Sequence, residues 1–393
     1  MNLSVSCAFD GGNIRLAGID GDNIDLEIAK DHQSDFYQWF YFRVTGGEGR
    51  SLNLRILNGA GSAYPHGWQD YRACMSYDRE DWERVDTSYE DGVLTIRVTP
   101  DSNSVWFAYF APYTMERHHE LVASIASFPG VEYRSLGQTI DGQELDYFRI
   151  PGGPLQVWLY ARQHPGETMA EWWMEGAFDK LLDDADPVSR RLREKATFHV
   201  IPNMNPDGSK RGHLRTNAVG VNLNREWHEP SLERSPEVYY ALQEMAKTGV
   251  DFAMDIHGDE AIAANFLAGF EGIPGWKKEQ QDLFDAFSDA LVRVSPDFQT
   301  EKGYEIPAPG KANLSMSTAQ LAERFGAVSM TLEMPFKDNA DLPDETWGWS
   351  VERCRLLARA CLDGLHAILH SLSCSSPLSI LSWVSSARAS VVG

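Results

Sequence analysis

The chain has 393 residues, 43% of them hydrophobic, and carries 57 acidic against 35 basic side chains for a net charge of −22. That length exceeds what one hydrophobic core usually organises, so two domains are expected. The negative field excludes nucleic acid and anionic membrane surfaces as expected partners, because both would be repelled.

Residues 1–118 are predicted to be all-β. Aromatic or alternating runs (NIDLEIA from 23, FYQWFYFRV from 36, SLNLRIL from 51, GVLTIRVTP from 92, SVWFAYFAPYT from 104) are separated by Gly, Asn and Asp turns. Short strands with regular turn signals predict an antiparallel sandwich. From 119 to 372 the pattern alternates between strands and helices, which predicts an α/β domain with a mixed sheet between helical layers. The expected strands are 145–150, 155–162, 197–202, 252–258, 264–270 and 328–335. The expected helices are about 167–183, 235–247, 276–294, 315–325 and 345–372. The Ser-rich stretch 373–393 shows no period and is expected to be poorly ordered.

Five cysteines (Cys7, Cys74, Cys354, Cys361, Cys374) are scattered and never spaced as CxxC. This predicts reduced thiols, a cytoplasmic location and no cysteine-rich metal site. The opening MNLSVSCAFDGGN has neither the basic start nor the apolar run of an export signal, and no stretch offers the length of a membrane span.

In open α/β sheets, ligands collect beyond the carboxyl ends of the strands. His164 and Glu167 follow one such end, in RQHPGE, and His257 follows another, in MDIHG, with Gly258 leaving space for close approach. One His and one Glu from a first loop, with a His from a second strand end, form the ligand set of a catalytic zinc, with a fourth position left for water. Taken alone, the His-x-x-acid spacing means little in a chain with 11 His and 57 acidic residues. His118, His119 and His228 lie in polar or Pro-bounded segments and are read as solvated; His199, His366 and His370 are read as packing or surface positions. A third stretch, NMNPDGSKRGHLRTNAVGVNLNREW, concentrates Lys210, Arg211, Arg215 and Arg225 in an acidic chain, a chemistry suited to a carboxylate. Glu333 stands in the otherwise apolar run SMTLEMP; a buried lone carboxylate is either paired or functional.

As an ordered set, HPGE, NPDG, the Arg of HLRTN, LNR, DxHG and TLE resemble the zinc metallocarboxypeptidases, the funnelin fold of pancreatic-type carboxypeptidases. The front half (FDGGNIRLAG, WFYFRV, FAYFAPYTMERHHE) is similar to the β-sandwich that precedes the catalytic domain in the cytosolic carboxypeptidase subfamily. The resemblance covers about residues 5–370. It implies a zinc-carboxypeptidase-like α/β fold acting on a peptide or protein C-terminus. One zinc ion would be held by His164, Glu167 and His257. Arg215 would stabilise the oxyanion, Asn224 and Arg225 would grip the terminal carboxylate, and Glu333 would activate water. Eukaryotic members trim glutamates, which makes an acidic C-terminal residue one expectation, with Lys210, Arg211 or Lys311 to receive it; the net charge of −22 opposes it.

Two positions depart from the pancreatic pattern. Asn222 stands where those members have an Asp that orients the first zinc His, and Asp255 is a candidate substitute. No Tyr lies between Ile306 and Glu333, where they carry a tyrosine that closes on substrate; Lys311 and Asn313 are expected to line that side.

Overall fold

The structure, a computed structural model, describes residues 2–372. The predicted tail of 373–393 lies outside the described residues.

The N-terminal part folds as two five-stranded sheets. One has the order Ser4–Ser6, Tyr41–Thr45, Ser104–Ala108, Cys74–Ser76, Glu83–Arg84, with antiparallel pairing throughout. The other runs Arg15–Asp20, Asn23–Glu27, Leu52–Ile56, Val93–Val98, Thr87–Glu90. It contains one parallel pair, Asn23–Glu27 beside Leu52–Ile56. Alternation sets the inner faces: Ile24 and Leu26, Leu52, Leu54 and Ile56, and Leu94 and Ile96 are buried while their neighbours along each strand are more exposed. That period of two is what a strand with one covered face requires.

The second part is built on a seven-stranded sheet. Its strands are β1 (Glu132–Gln138), β2 (Glu144–Ile150), β3 (Leu155–Ala161), β4 (Ala196–Ile201), β5 (Phe252–Asp259), β6 (Phe266–Ala268) and β7 (Val328–Pro335), in the order β1-β2-β4-β3-β5-β7-β6. The four central strands are parallel, and the outer ones pair antiparallel. The eight α-helices among the described residues are α1 (Met115–Ala126), α2 (Met169–Leu181), α3 (Pro187–Lys195), α4 (Pro206–Arg211), α5 (Pro236–Thr248), α6 (Lys278–Val294), α7 (Ser317–Phe325) and α8 (Val351–Ile368).

β3 shows why helices lie on both sheet faces. Val157 and Leu159 enter the core shared with Trp173 of α2, Phe287 of α6 and Leu357 of α8. Trp158 and Tyr160 enter a second core with Val238 and Leu242 of α5 and Leu321 of α7. Every residue of β5 and β7 is buried, as expected of parallel strands covered on both sides.

The five helices and six strands expected in this part are all present, shifted by a few residues at their ends. Sequence reading missed α1, α3, α4 and β1. α1 begins at Thr114, whose hydroxyl accepts the Arg117 N–H at 3.3 Å. Its inner face carries His118, which corrects the reading of that residue as solvated. His118 is buried, with Nδ1 2.6 Å from Glu171 and Nε2 2.9 Å from Asp146. His119 and His228 are exposed as expected. The boundary read at 118/119 falls inside α1.

No helix among the described residues is long and apolar enough to cross a membrane. Cys7, Cys74, Cys354 and Cys361 are free thiols.

Candidate metal centre

The site lies where β3, β5 and β7 end. After Ala161 the chain turns through Arg162 at a φ of 60°, outside the strand region. Its guanidinium holds the loop that follows, donating from Nε to the Pro165 carbonyl at 2.9 Å and from Nη1 to the Tyr113 carbonyl at 2.7 Å. Gly166 then donates to the Leu214 carbonyl at 2.9 Å. A side chain at that glycine would meet the same carbonyl at 3.0 Å, so the Pro-Gly pair lets two loops meet at backbone distance. Gly258 on β5 instead makes room for side chains: a Cβ there would lie 2.4 Å from Met169 Sδ.

This brings His164, Glu167 and His257 together, all buried, with one ligand atom from each lying within 4.8 Å of the others. His164 Nδ1 is 2.7 Å from Glu167 Oε1, His257 Nδ1 is 2.7 Å from Glu167 Oε2, and the two Nδ1 atoms are 3.2 Å apart. The outer ring edges are also occupied. His164 Nε2 faces Asn222 Oδ1 at 3.0 Å, an oxygen that also accepts the Asn224 N–H at 3.1 Å and so is fixed as an acceptor. His257 Nε2 lies 2.9 Å from Asp255 Oδ2. In a neutral His164 ring Nε2 therefore carries the proton and the Nδ1 lone pair turns inward towards Glu167, while His257 Nε2 meets Asp255 at ion-pair distance without hydrogen-bond geometry. Two ring nitrogens and a carboxylate converge, each able to offer a lone pair to a metal once the rings are neutral. That donor set fits zinc.

Electrostatics agree. Burial, reinforced by Arg215, holds His164 down to about 4. Burial disfavours a charged His257, yet Asp255 and Glu167 outweigh it and lift that ring well above its ordinary range. Burial works against the Glu167 carboxylate too, and the two imidazoles outweigh it and hold the group below the usual range. Glu167 is thereby held as a carboxylate between the two rings.

Glu333 sits beside His257, its direct register partner on the neighbouring parallel strand. Burial pushes its carboxyl well up despite the opposing pull of His257. Oε1 accepts from the Tyr304 hydroxyl at 3.1 Å, while Oε2 is buried without a partner. The same hydroxyl lies closer to Asp259 Oδ2, at 2.7 Å, so the two carboxyl groups share its single proton. A tyrosine thus does reach this corner, from two residues ahead of the segment in which sequence reading found none.

Of the four basic residues in the third stretch, two come to the cleft. Arg215 is within electrostatic reach of Glu167 and Glu333, and Arg225 of Arg215 and Tyr304. Arg211 instead pairs with Asp141 at 2.7 Å, and Lys210 is exposed at the end of α4. Asn224 is buried, and its Oδ1 accepts the Ser317 N–H at 2.9 Å, which leaves its amide NH₂ to donate. Lys311 is exposed, its N–H bonded to the Ala308 carbonyl. A cavity of about 770 Å³ opens beside Tyr304 and is walled on that side by Ala312 and Asn313, with Lys311 outside its lining. Thr331, two residues before Glu333 and on the same strand face, lines it too.

Sequence reading missed Tyr304, Asp259 and Gln163. Tyr304 lies in a polar loop with no period to mark it. Gln163 joins the second layer of the site, donating to Asp255 at 2.6 Å and accepting from Trp227 at 2.8 Å. Its position beside His164 was the only signal available.

Comparison with known proteins places these features in company. Residues 5–110 match the family model for the cytosolic carboxypeptidase N-terminal domain, and residues 119–241 match that for zinc carboxypeptidase. A metallo-carboxypeptidase from Burkholderia cenocepacia is 42% identical, superposes with a TM-score of 0.92, and aligns over 94% of this chain and 100% of its own. A metallo-carboxypeptidase from Pseudomonas aeruginosa, solved in complex with (2-guanidinoethylmercapto)succinic acid, is 40% identical with a TM-score of 0.92 over 93% of this chain and 99% of its own. Cytosolic carboxypeptidase 1 of Gallus gallus is 28% identical over 288 residues, 61% of this chain but only 23% of that protein, so the match spans under a quarter of the larger relative.

Proposed function

The chain belongs to the zinc carboxypeptidase family, among the members that carry the cytosolic carboxypeptidase N-terminal domain, and from that premise we propose that it removes single residues from the C-terminus of peptides or protein tails. The observation that supports this most is the inward convergence of the His164, Glu167 and His257 donors beside the buried Glu333.

His164, Glu167 and His257 would hold zinc, which when bound would supply a Lewis acid able to lower the pKa of water towards ~7 and polarise the scissile carbonyl. Glu333 takes a proton from the attacking water and passes it to the departing amine. Its place beside His257, with Oε2 free of other partners, suits both transfers. Arg215 faces the same centre and offers charge where the tetrahedral oxyanion forms. Arg225 donates from Nη1 to the Asn224 carbonyl at 2.6 Å, and its remaining donors with the free Asn224 amide grip the terminal carboxylate. That grip makes the enzyme an exopeptidase.

The side chain of the C-terminal residue enters the cavity beside Tyr304. Its wall carries Glu271, Asp285, Asp289, Glu301 and Glu305, against a single Lys302 that is tied to Asp341 at 2.7 Å. An acidic side chain would meet like charge, so we read the preference as basic or neutral rather than glutamate. The succinate in complex with the Pseudomonas relative carries a guanidinium on a chain that ends in carboxylates, and a C-terminal arginine likewise joins a guanidinium to a carboxylate. A cytoplasmic setting belongs to this reading, since Cys74, Cys354 and Cys361 are buried thiols that need no oxidising compartment.

The test uses zinc-loaded enzyme and N-terminally blocked peptides that differ only in the last residue, with loss of that residue followed by mass spectrometry. Single-residue trimming that disappears in Glu333→Gln is expected, with kcat/KM for Lys or Arg above that for Glu. Stoichiometric zinc without trimming of any peptide would end the peptidase reading.

A further inference from the structure

Arg215 belongs to the catalytic sheet's loops, yet the groups that hold it come from the N-terminal sheets. The carboxylate of Asp31, itself buried, accepts three consecutive backbone N–H groups: Leu214 at 2.7 Å, Arg215 at 2.9 Å and Thr216 at 2.9 Å. It also accepts the Thr216 hydroxyl at 3.0 Å. The next residue, His32, donates its N–H to His213 Nε2 at 3.1 Å; this fixes the proton of that ring on Nδ1, where it meets the Thr216 carbonyl at 2.9 Å. The Arg215 guanidinium then stands over two aromatic rings of the same N-terminal part, 5.6 Å from the Phe36 centroid and 5.4 Å from that of Tyr64.

The choice of aromatic partners has a chemical consequence. A carboxylate would hold the guanidinium by consuming its edge N–H donors, the groups an oxyanion needs. Ring faces attract the cation through its plane and leave those donors unspent. No hydrogen bond to the Arg215 side chain occurs among the described residues, in keeping with that division.

We infer that the N-terminal domain completes the active site. Asp31 sets the backbone of the Arg215 loop, and Phe36 and Tyr64 aim its guanidinium at the scissile carbonyl, as positioning residues that touch no reacting atom. This rests on the oxyanion role proposed for Arg215. A group displaced by about 1 Å from its productive place costs on the order of 100-fold in rate. The function of the sandwich is therefore catalytic geometry, beyond any shielding of the cleft.

A double-mutant cycle on the zinc-loaded full chain tests this. Phe36→Leu with Tyr64→Leu should lower kcat by about 10- to 100-fold with KM within about twofold, at unchanged zinc content. Tyr64→Phe, which keeps the ring face, should restore most of that loss, and Asp31→Asn should lower kcat in the same sense. Added to Arg215→Ala, which alone should cost about 10²–10³, the aromatic pair should cost nothing further. If the two losses multiply instead, or if the aromatic pair lowers the melting temperature and leaves kcat intact, the positioning role is overturned. Wild-type kcat in Arg215→Ala would overturn the role of Arg215 itself, a separate outcome.

Discussion

Asp255 lies 2.9 Å from Nε2 of His257. His164 has only an amide oxygen at the equivalent place, Asn222 Oδ1 at 3.0 Å. The charged orienting group therefore stands behind the second imidazole rather than the first. It also accepts from Gln163 at 2.6 Å and from the Ser317 hydroxyl, so its place is fixed from several sides. A carboxylate behind a metal-ligating imidazole raises the basicity of the ring. Asp255→Asn should weaken zinc binding by about 10- to 100-fold in competition with a chromophoric chelator, and Asn222→Asp should tighten it. Equal affinity in wild type and Asp255→Asn would show that the carboxylate does not tune the metal.

Glu333→Gln keeps the shape of the side chain and removes its ability to carry a proton. kcat should fall by about 10²–10⁴ while zinc content stays at one per chain by elemental analysis. Retained activity would move the proton-transfer role to another group.

The buried His118 makes stability depend on pH. Burial opposes its charge, yet Glu171 and Asp146 outweigh it and lift the ring to about 9 from 6.5. A group bound more tightly by protons in the folded state stabilises fully below its unfolded pKa, near 6.5, and loses that contribution as pH climbs through about 9. The shift corresponds to about 3 kcal/mol. Calorimetry between pH 6 and 9.5 should show the melting temperature of wild type falling across this window and that of His118→Gln, lower at the start, falling much less. Parallel curves for the two proteins would contradict the assignment.

Asp285 and Asp289 face the cavity from α6. Neutralising both as Asn should narrow the preference for C-terminal Lys or Arg over Leu by about tenfold, the combined scale of two partly exposed charges. The readout is the ratio of kcat/KM values, which cancels any general loss of activity. An unchanged ratio would place the C-terminal side chain elsewhere.

The legible parts of the fold were those with a clean period. β5 and β7 read as largely apolar runs, and the strands of the N-terminal part as alternations. α1 was hidden because its inner face carries a histidine, so the helical stripe of Met115, His118 and Ile125 looks polar to a period count. β1 is largely exposed and lacked an apolar signal. His164, Glu167 and His257 were legible because they follow predicted strand ends. Arg215 and Arg225 stood out by charge, while Arg211, equal to them in sequence, is drawn off by Asp141. Tyr304, Asp31, Phe36 and Tyr64 were not legible. Each acts across a distance in the chain that no local pattern encodes.

The 184 residues that separate Asp31 from Arg215 carry a consequence for how the molecule is made. A ribosome delivers Asp31, Phe36 and Tyr64 long before the loop they shape, and N-terminal units generally fold first. The late loop therefore emerges onto a surface already waiting for it, which offsets part of the entropy of so distant a contact. Until that docking occurs Arg215 lacks the carboxylate that fixes its backbone and the two rings that flank its side chain.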